Sequence, residues 1–357
     1  MVGSNLGRPL RVAFDGRPLL PPHTGVYRYT AGLLAGLEEV ASEALQLTVL
    51  RPPRAMATSR WVLLDMQRVT GRGFDVVHFP FYYPPLVPRC PVTVTVHDTL
   101  VLEHPDWFPR AWGGLMRLLI ARGARRAAAV VTPSRHVATS VERLCGVAAE
   151  RLRVIPHGVD ARTWFPPPPA AIAALRRQLD LPRRWIVQLG AVEPRRGVDL
   201  LLRAAQTLRL QEGELEVVLV GGVRRPIPEL RPPPPGVRVI PWLDDPLLPP
   251  LLAGAAAVVA PSRGEGFDLP VLEALACGAA VVASDIPVHR EHFAGAVELF
   301  PSGDAGALAA ALSRLLVDPA RGNSLRAAAV AHARRFTWSE CARAHLALWR
   351  EVVQRSA

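Results

Sequence analysis

The sequence predicts an α/β protein built from two doubly wound units and a helical C-terminal tail. Short apolar runs alternate with stretches of helical period, the alternation stops at four consecutive prolines, and it then starts again. The chain has 357 residues, half of them hydrophobic, which is enough material for two cores.

The first unit contains a series of candidate buried strands separated by helices. Helices are expected near Gly25, near Pro109 and at Ser134, whose hydroxyl makes it a good N-cap. The predicted strands, the last of which continues into a turn, are Leu10–Asp15, Leu47–Leu50, Asp75–Phe79, Val92–Val96, Ala129–Pro133 and Arg153–Val159.

The four prolines at 166–169 mark the expected boundary between the units. Such a run cannot continue a helix or a central strand, so it predicts a stiff, extended connector. The expected domains are therefore residues 1–165 and 166–335. Residues 336–357 are expected to form a helix that packs back on the first domain.

The second unit repeats the alternation. Helices are expected near Val198, Pro246, Leu269 and Asp304, and the tail from Pro319 to Arg355 reads as helix without strand. Ligands of such sheets bind outside the carboxyl ends of the strands. The expected site is the cleft between the two units. The predicted strands are Trp185–Gly190, Glu216–Gly222, Val237–Pro241, Ala256–Pro261, Ala279–Ser284 and Ala296–Phe300.

The charge favours anionic ligands. The formal net charge is +11, and all 42 basic residues are arginine. Such a surface attracts phosphates or anionic lipid. The arginines are scattered without interleaved aromatic residues, so nucleic acid is not expected as a partner.

The location and the cysteines give further expectations. No apolar run approaches the roughly 20 residues of a membrane span, and residues 1–8 do not resemble a signal peptide. We expect a cytoplasmic protein, in peripheral contact with the inner membrane face. The cysteines form no metal-binding or disulfide pattern; they are Cys90, Cys145, Cys277 and Cys341.

The segment from Pro261 to Ser284 carries the clearest chemical pattern. A strand ends, a loop with two glycines follows, and a helix begins near Leu269, whose unpaired N–H groups suit an anion such as a pyrophosphate. Glu265 and Glu273 flank that place. Ionised carboxylates accept strong hydrogen bonds, so they suit paired sugar hydroxyls.

Two other loops follow predicted strands and carry polar groups. After Gly190 come the adjacent Arg195 and Arg196. Their guanidinium groups can neutralise a pyrophosphate and the negative charge that it gains as a sugar leaves it. His97 lies just past a buried strand, where Asp98 is expected to orient its ring. Gly25 opens a helix after the first strand.

Together these segments resemble the family 4 retaining glycosyltransferases, which have the GT-B fold. Gly264–Gly278 is similar to the family's E-x7-E signature, and Gly190–Ala204 is similar to its phosphate clamp. The resemblance covers nearly the whole chain. It implies an acceptor-side first domain, a second domain that binds a nucleoside diphosphate sugar as co-substrate, and no cofactor or metal ion.

The resemblance also implies roles for individual residues. Glu265 contacts the donor sugar, Glu273 holds the ribose, Arg195 and Arg196 clamp the pyrophosphate, and His97 lines the sugar pocket. The implied catalytic set is His97, Glu265, Arg195 and Arg196. The implied donor-binding set consists of Gly25, Val26, Gly190, Arg195, Arg196, Trp242, Gly266, Phe267, Asp268, Leu269 and Glu273.

The chain departs from the family pattern at four positions. Ala191 stands where many members have Arg, and Asp268 stands where Gly is frequent. Tyr27 replaces a second glycine after Gly25, and His157 stands where Asn is commoner. A negative charge at Asp268 is unfavourable beside a pyrophosphate unless it points away.

The expected reaction is transfer of a hexose to a glycan or lipid-linked hydroxyl with retained configuration. The segments DGRP, which begins at Asp15, and EPR, which begins at Glu193, resemble mannosyltransferases, which favours mannose, from GDP-mannose. The alternatives are a GT-B nucleotide-sugar epimerase, which needs no acceptor, and a non-catalytic module that binds nucleotide sugars or anionic polymers. A related sugar phosphorylase would need a lysine for pyridoxal phosphate, and this chain contains no lysine.

Overall fold

The computed structural model describes residues 8–21, 24–41, 43–52, 73–82, 89–208, 215–225 and 227–356. The chain divides into two compact units, one of residues 1–158 and 336–357 and one of residues 159–335. The division therefore falls after Gly158, whereas the prolines predicted it at 165. Residues 1–7, which bear on the signal-peptide expectation, lie outside the described part.

The first unit is a parallel six-stranded sheet in the order β2-β1-β3-β4-β5-β6. Its helices begin close to the expected positions, and the Ser134 hydroxyl accepts a hydrogen bond from the Val137 N–H at 3.2 Å. The strands and helices are β1 Leu10–Asp15, α1 Gly25–Val40, β2 Leu45–Leu50, β3 Val76–Phe79, β4 Val92–Thr95, α2 Leu100–Glu103, α3 Arg110–Arg126, β5 Ala129–Thr132, α4 Arg135–Cys145 and β6 Leu152–Val154.

The end of the chain completes the first unit. The last helix, α12 (Trp338–Ser356, numbered after the helices of the second unit below), packs along α1 and buries Trp349 against β1 and α1. A glycine makes this approach possible, because a Cβ on Gly36 would lie 2.3 Å from the Trp338 carbonyl oxygen. The Tyr29 hydroxyl contacts His345 Nε2 at 3.0 Å, which joins the two helices through a buried polar contact.

The second unit is also a parallel six-stranded sheet, in the order β12-β11-β10-β7-β8-β9. Its strands and helices are α5 Pro169–Gln178, β7 Arg184–Leu189, α6 Val198–Thr207, β8 Leu215–Val220, β9 Val237–Ile240, α7 Leu248–Gly254, β10 Ala257–Ala260, α8 Leu269–Ala276, β11 Val281–Ser284, α9 Pro287–Phe293, β12 Glu298–Phe300, α10 Ala305–Val317 and α11 Pro319–Ala333.

The proline run differs from its prediction in one respect. Pro168 is extended, with φ −66° and ψ 149°, but Pro169 is already the first residue of α5. Proline is well suited to that position, because the first helical N–H has no intrahelical partner and the ring fixes a helical φ. The run is therefore a connector that also starts a helix.

The two units confirm the predicted fold class. Each has the doubly wound, all-parallel arrangement of a Rossmann-like sheet. In the second sheet the chain winds outwards from β7 through β8 to β9, then returns to β10 beside β7 and winds the other way. The carboxyl ends of β7 and β10 therefore form the topological switch point, where such sheets bind ligands.

Candidate functional site

The switch point of the second unit is where the predicted charged residues meet. Arg195 and Arg196 follow β7 in a short 3-10 turn, Pro194–Arg196. Glu265 lies in the loop between β10 and α8. Because β7 and β10 are hydrogen-bonded neighbours, their two loops leave the same edge of the sheet side by side.

Glycine allows the two loops to pack closely. Gly197 has φ +66°, and a Cβ there would lie 2.0 Å from the carbonyl oxygen of Pro261. Any other residue would force the loops apart. Arg263 ties the same loops together: its N–H donates to the Arg195 carbonyl at 2.9 Å, and its guanidinium contacts Asp199 at 2.8 and 2.6 Å.

The two arginines share the Glu265 carboxylate. Arg196 Nη1 lies 3.4 Å from Glu265 Oε1, and Arg195 Nη1 lies 3.7 Å from Oε2. Arg195 also pairs with Glu193 at 2.8 Å, and the Ser262 hydroxyl donates to Glu265 Oε1 at 2.8 Å. The two arginine contacts to Glu265 are longer than the 2.7–2.9 Å typical of a charge-assisted hydrogen bond. The guanidinium groups thus retain donor capacity for a ligand.

Arg196 is positioned by its backbone and by a glycine. Its carbonyl accepts from Gln188 Nε2 at 2.8 Å. A Cβ on Gly190, whose φ is +122°, would lie 3.2 Å from Arg196 Nη1. The guanidinium therefore lies against bare backbone, and its Nε is buried without a hydrogen-bond partner among the described residues.

The surroundings of Arg196 and Glu265 raise the pKa of both side chains. Burial lowers the pKa of Arg196, but the charges of Glu265 and Asp268 outweigh burial and raise it. For Glu265 burial is the larger effect, and it raises the pKa of that carboxyl despite the two arginines. Arg196 therefore stays protonated. The neighbouring Glu265 carboxyl ionises only at a higher pH than usual.

Asp268, at the place where glycine is frequent, has a left-handed backbone with φ +75°. Its fully buried carboxylate lies 3.4 Å from Arg196 Nη1 and 3.1 Å from His289 Nε2. Burial raises its pKa, but the His289 hydrogen bond and the Arg196 charge outweigh burial and lower it. The carboxylate is thus turned towards Arg196 and His289.

The remaining residues of this segment are mostly buried. Glu273 lies on α8 with 4% of its surface exposed, and Leu269 is the first residue of that helix. Gly266 is buried, and the Phe267 ring packs against His292 at a centroid distance of 4.8 Å. Phe267 thus packs in the interior of the unit, with 3% of its surface exposed.

Trp242 lies apart from the core, in the loop after β9. It is 66% exposed, and its indole N–H donates to Asp244 Oδ1 at 3.1 Å. Trp242 is therefore not part of the hydrophobic core. An exposed indole at the carboxyl end of a strand has a face on which a nucleobase can stack.

Three residues of the predicted site, Gly25, Val26 and His97, lie in the first unit. Gly25 is the first residue of α1, as expected, and no atom lies within 4 Å of a Cβ placed on it. Val26 follows it, and its carbonyl accepts from the Thr30 hydroxyl at 2.7 Å. Residues 22 and 23 of the same loop lie outside the described part.

His97, just after β4, is held by its neighbours in the first unit. Its Nε2 contacts the Pro80 carbonyl at 2.8 Å, and its Nδ1 contacts His157 Nε2 at 3.3 Å. Burial lowers the pKa of His97, which favours the neutral ring. Asp98 instead accepts the Leu100 N–H at 3.1 Å, so the ring is oriented by Pro80 and His157 rather than by Asp98.

The structure thus brings Arg195, Arg196, Glu265 and Asp268 into one cluster next to Gly190. Sequence reasoning missed three members of its surroundings: Gln188, Ser262 and His289. His289 lies 21 residues after Asp268, and no spacing rule connects them. Ser262, three residues before Glu265, could have been noticed as a short-range partner.

Comparison with known proteins gives one family model for each unit. The model described as Glycosyltransferase Family 4 matches residues 33–163, and the model described as Glycosyl transferases group 1 matches residues 183–318. The second match falls within the second unit, whereas the first covers most of the first unit and ends at residue 163, just past the division after Gly158.

Curated relatives agree with these models. A D-inositol 3-phosphate glycosyltransferase of Xylanimonas cellulosilytica is 35% identical over 243 residues, which is 64% of this chain and 58% of that protein. The O-antigen chain mannosyltransferase B of Escherichia coli is 26% identical over 297 residues, 81% of this chain and 75% of that one. The chain thus spans about three fifths of the first relative's length.

A solved structure extends the likeness to the fold. Anabaena HepE, in complex with UDP-glucose, has a TM-score of 0.72 at 19% identity, covering 94% of this chain and 98% of that one. At this identity the likeness concerns the fold, which is GT-B. The chain thus contains a Glycosyltransferase Family 4 domain followed by a Glycosyl transferases group 1 domain.

Proposed function

We propose that this protein transfers a hexose from a nucleoside diphosphate sugar to a hydroxyl of a glycan or lipid-linked acceptor, with retained configuration. The observation that supports this most strongly is the pair of arginines at the switch point of the second sheet, which share a carboxylate at 3.4 and 3.7 Å. These loosely paired cations suit a diphosphate that bears two or more negative charges.

The donor is proposed from the site and from the relatives together. HepE was solved with UDP-glucose, and the Escherichia coli relative is named a mannosyltransferase. Both sugars are hexoses, which supports a hexose donor here. Within that class we favour mannose, because the DGRP and EPR segments of this chain resemble mannosyltransferases.

In the proposed mechanism, negative charge moves onto the distal phosphate as the glycosidic bond breaks. Arg195 and Arg196 stabilise that charge more strongly than they stabilise the bound donor. Glu265 orients the sugar through its hydroxyls, and Glu273 binds the ribose. Because both glutamates have binding roles, the acceptor hydroxyl attacks on the face from which the diphosphate departs, and its proton passes to the departing diphosphate as the new glycosidic bond forms.

The two glutamates should separate in a binding measurement. We expect Glu273→Ala to weaken binding of the free nucleoside diphosphate by about 1.5–3 kcal/mol, the scale of a hydrogen bond to a charged group. Glu265→Ala should leave that affinity nearly unchanged and lower turnover, because its partner is the sugar. Calorimetry and product analysis measure the two effects.

The exposed Glu340→Ala in α12 serves as the matched control for loss of a carboxylate. Unchanged nucleotide affinity in Glu273→Ala would contradict the ribose assignment. Donor consumed without glycoside formed would favour an epimerase, and donor binding without any turnover would favour a non-catalytic module.

Transfer is further proposed to need no metal ion, because the two guanidinium groups can take the role of a divalent cation at the diphosphate. We expect activity in excess chelator to equal that of the untreated enzyme. Activity that disappears with chelator and returns with Mg²⁺ or Mn²⁺ would overturn this part of the proposal.

The acceptor side is proposed to contact an anionic membrane through α3. Trp112, Leu115 and Leu118 are 46%, 53% and 61% exposed on this helix. The helix also carries five arginines and no acidic residue. Exposed apolar side chains flanked by arginines are typical of helices that lie in the interface of anionic lipid. Among the described residues, no helix is long and apolar enough to cross a membrane.

Vesicle flotation tests this contact. We expect the protein to float with vesicles that contain anionic phospholipid, less so at high salt, because screening weakens the arginine contribution. The double change Leu115→Glu and Leu118→Glu should reduce binding at least about tenfold, since each buried leucine contributes about 1.5–3 kcal/mol. Val317→Glu, at a residue 79% exposed in the second unit, is the matched control. Equal binding by the double variant and this control would contradict the contact.

A further inference from the structure

A fully buried histidine lies behind the arginine cluster, at a position that the proposed function does not use. His289 on α9 has no exposed surface. Its Nδ1 lies 2.8 Å from the Ser284 carbonyl oxygen, and its Nε2 lies 3.1 Å from Asp268 Oδ2. The Ser284 carbonyl oxygen can only accept hydrogen bonds, and the same holds for the Asp268 oxygen when that carboxyl is ionised. Both ring nitrogens of His289 therefore face hydrogen-bond acceptors.

The neighbouring hydroxyl does not change this pattern. Ser284 Oγ lies 3.5 Å from His289 Nδ1, but it donates to the Ser262 carbonyl at 2.5 Å. The ring must then donate from Nδ1 to the Ser284 carbonyl and from Nε2 to Asp268. A neutral imidazole has one N–H and cannot do both, so this arrangement requires the imidazolium.

With His289 protonated, each oxygen of the Asp268 carboxylate has its own positively charged partner. One oxygen of Asp268 faces His289, and the other lies 3.4 Å from Arg196 Nη1. That second contact is long for a charge-assisted pair. Without the His289 proton, Arg196 would be the only cation in contact with this buried carboxylate among the described residues. The low local dielectric would then draw Arg196 and Asp268 together.

We propose that His289 is a positioning residue: its imidazolium holds Asp268 and so leaves Arg196 available to the donor diphosphate. This inference rests on the proposed function, because it needs a diphosphate at Arg196. It also gives a reason for an aspartate where glycine is frequent. Asp268 and His289 form a matched pair, in which the histidine compensates the added charge.

The arrangement makes diphosphate binding depend on pH. The charged groups that act on His289 are Asp268 and Glu265 from the loop before α8, Asp285 after β11 and, through Asp268, Arg196. Burial lowers the pKa of His289, but the hydrogen bond and charge of Asp268 outweigh burial and raise it. The proton is therefore present at low pH and is lost as the pH rises through this raised pKa.

A double-mutant cycle with free nucleoside diphosphate as the probe tests this role. We expect His289→Gln to weaken binding about tenfold, within the range of coupling for residues in one charge network. In an Asp268→Gly background the same change should have almost no effect, because the carboxylate that captures Arg196 is gone. A purely structural histidine would cost the same in both backgrounds. His332→Gln, a half-buried histidine on α11, is the matched control and should bind as the wild type does.

The pH dependence gives a second readout. From about pH 7 upwards the diphosphate is fully ionised, since its last pKa is near 6. We expect wild-type affinity to fall over this range and affinity of the Asp268→Gly variant to stay flat. Binding that is equal in all variants and independent of pH would overturn the inference while leaving the proposed function intact. No binding of any nucleoside diphosphate by the wild type would instead overturn the proposed function.

Discussion

The second unit is organised around one constraint, a permanently charged guanidinium, only 15% exposed, at the end of a sheet. An unpaired buried cation costs several kcal/mol, so Arg196 requires carboxylates near it. Glu265 and Asp268 supply them at 3.4 Å each. Gly190 and Gly197 supply the space, because a Cβ on either would meet the cluster or the adjoining loop.

The first unit also buries polar side chains, but these are neutral and hydrogen-bonded to one another. Tyr29, Thr95 and His345 form a buried hydrogen-bonded chain, and burial lowers the pKa of His345 to about 4, so the ring stays neutral. Trp349 on the same helix donates to Thr93 at 3.1 Å. These satisfied polar contacts fix the register of the C-terminal helix on a sheet that apolar packing alone would specify less sharply.

The sequence predicted the fold class and most strands, because buried parallel strands are nearly continuous apolar runs. It also indicated Arg195, Arg196 and Glu265, since local loop patterns carry them. It could not indicate His289, which meets Asp268 only once β11 and α9 are folded beside α8. The proline run gave the domain boundary a few residues late, because Pro169 starts a helix and the units divide at Gly158.

The most direct test of the account is steady-state kinetics of Arg196 variants once the donor is identified. A guanidinium that stabilises the departing diphosphate acts mainly in the transition state. Arg196→Ala should therefore lower kcat by about 10²–10³, with a smaller change in KM, and Arg196→Lys should recover a good part of the rate. A raised KM with unchanged kcat would reduce the arginine to uniform binding. Unchanged values of both would contradict the account.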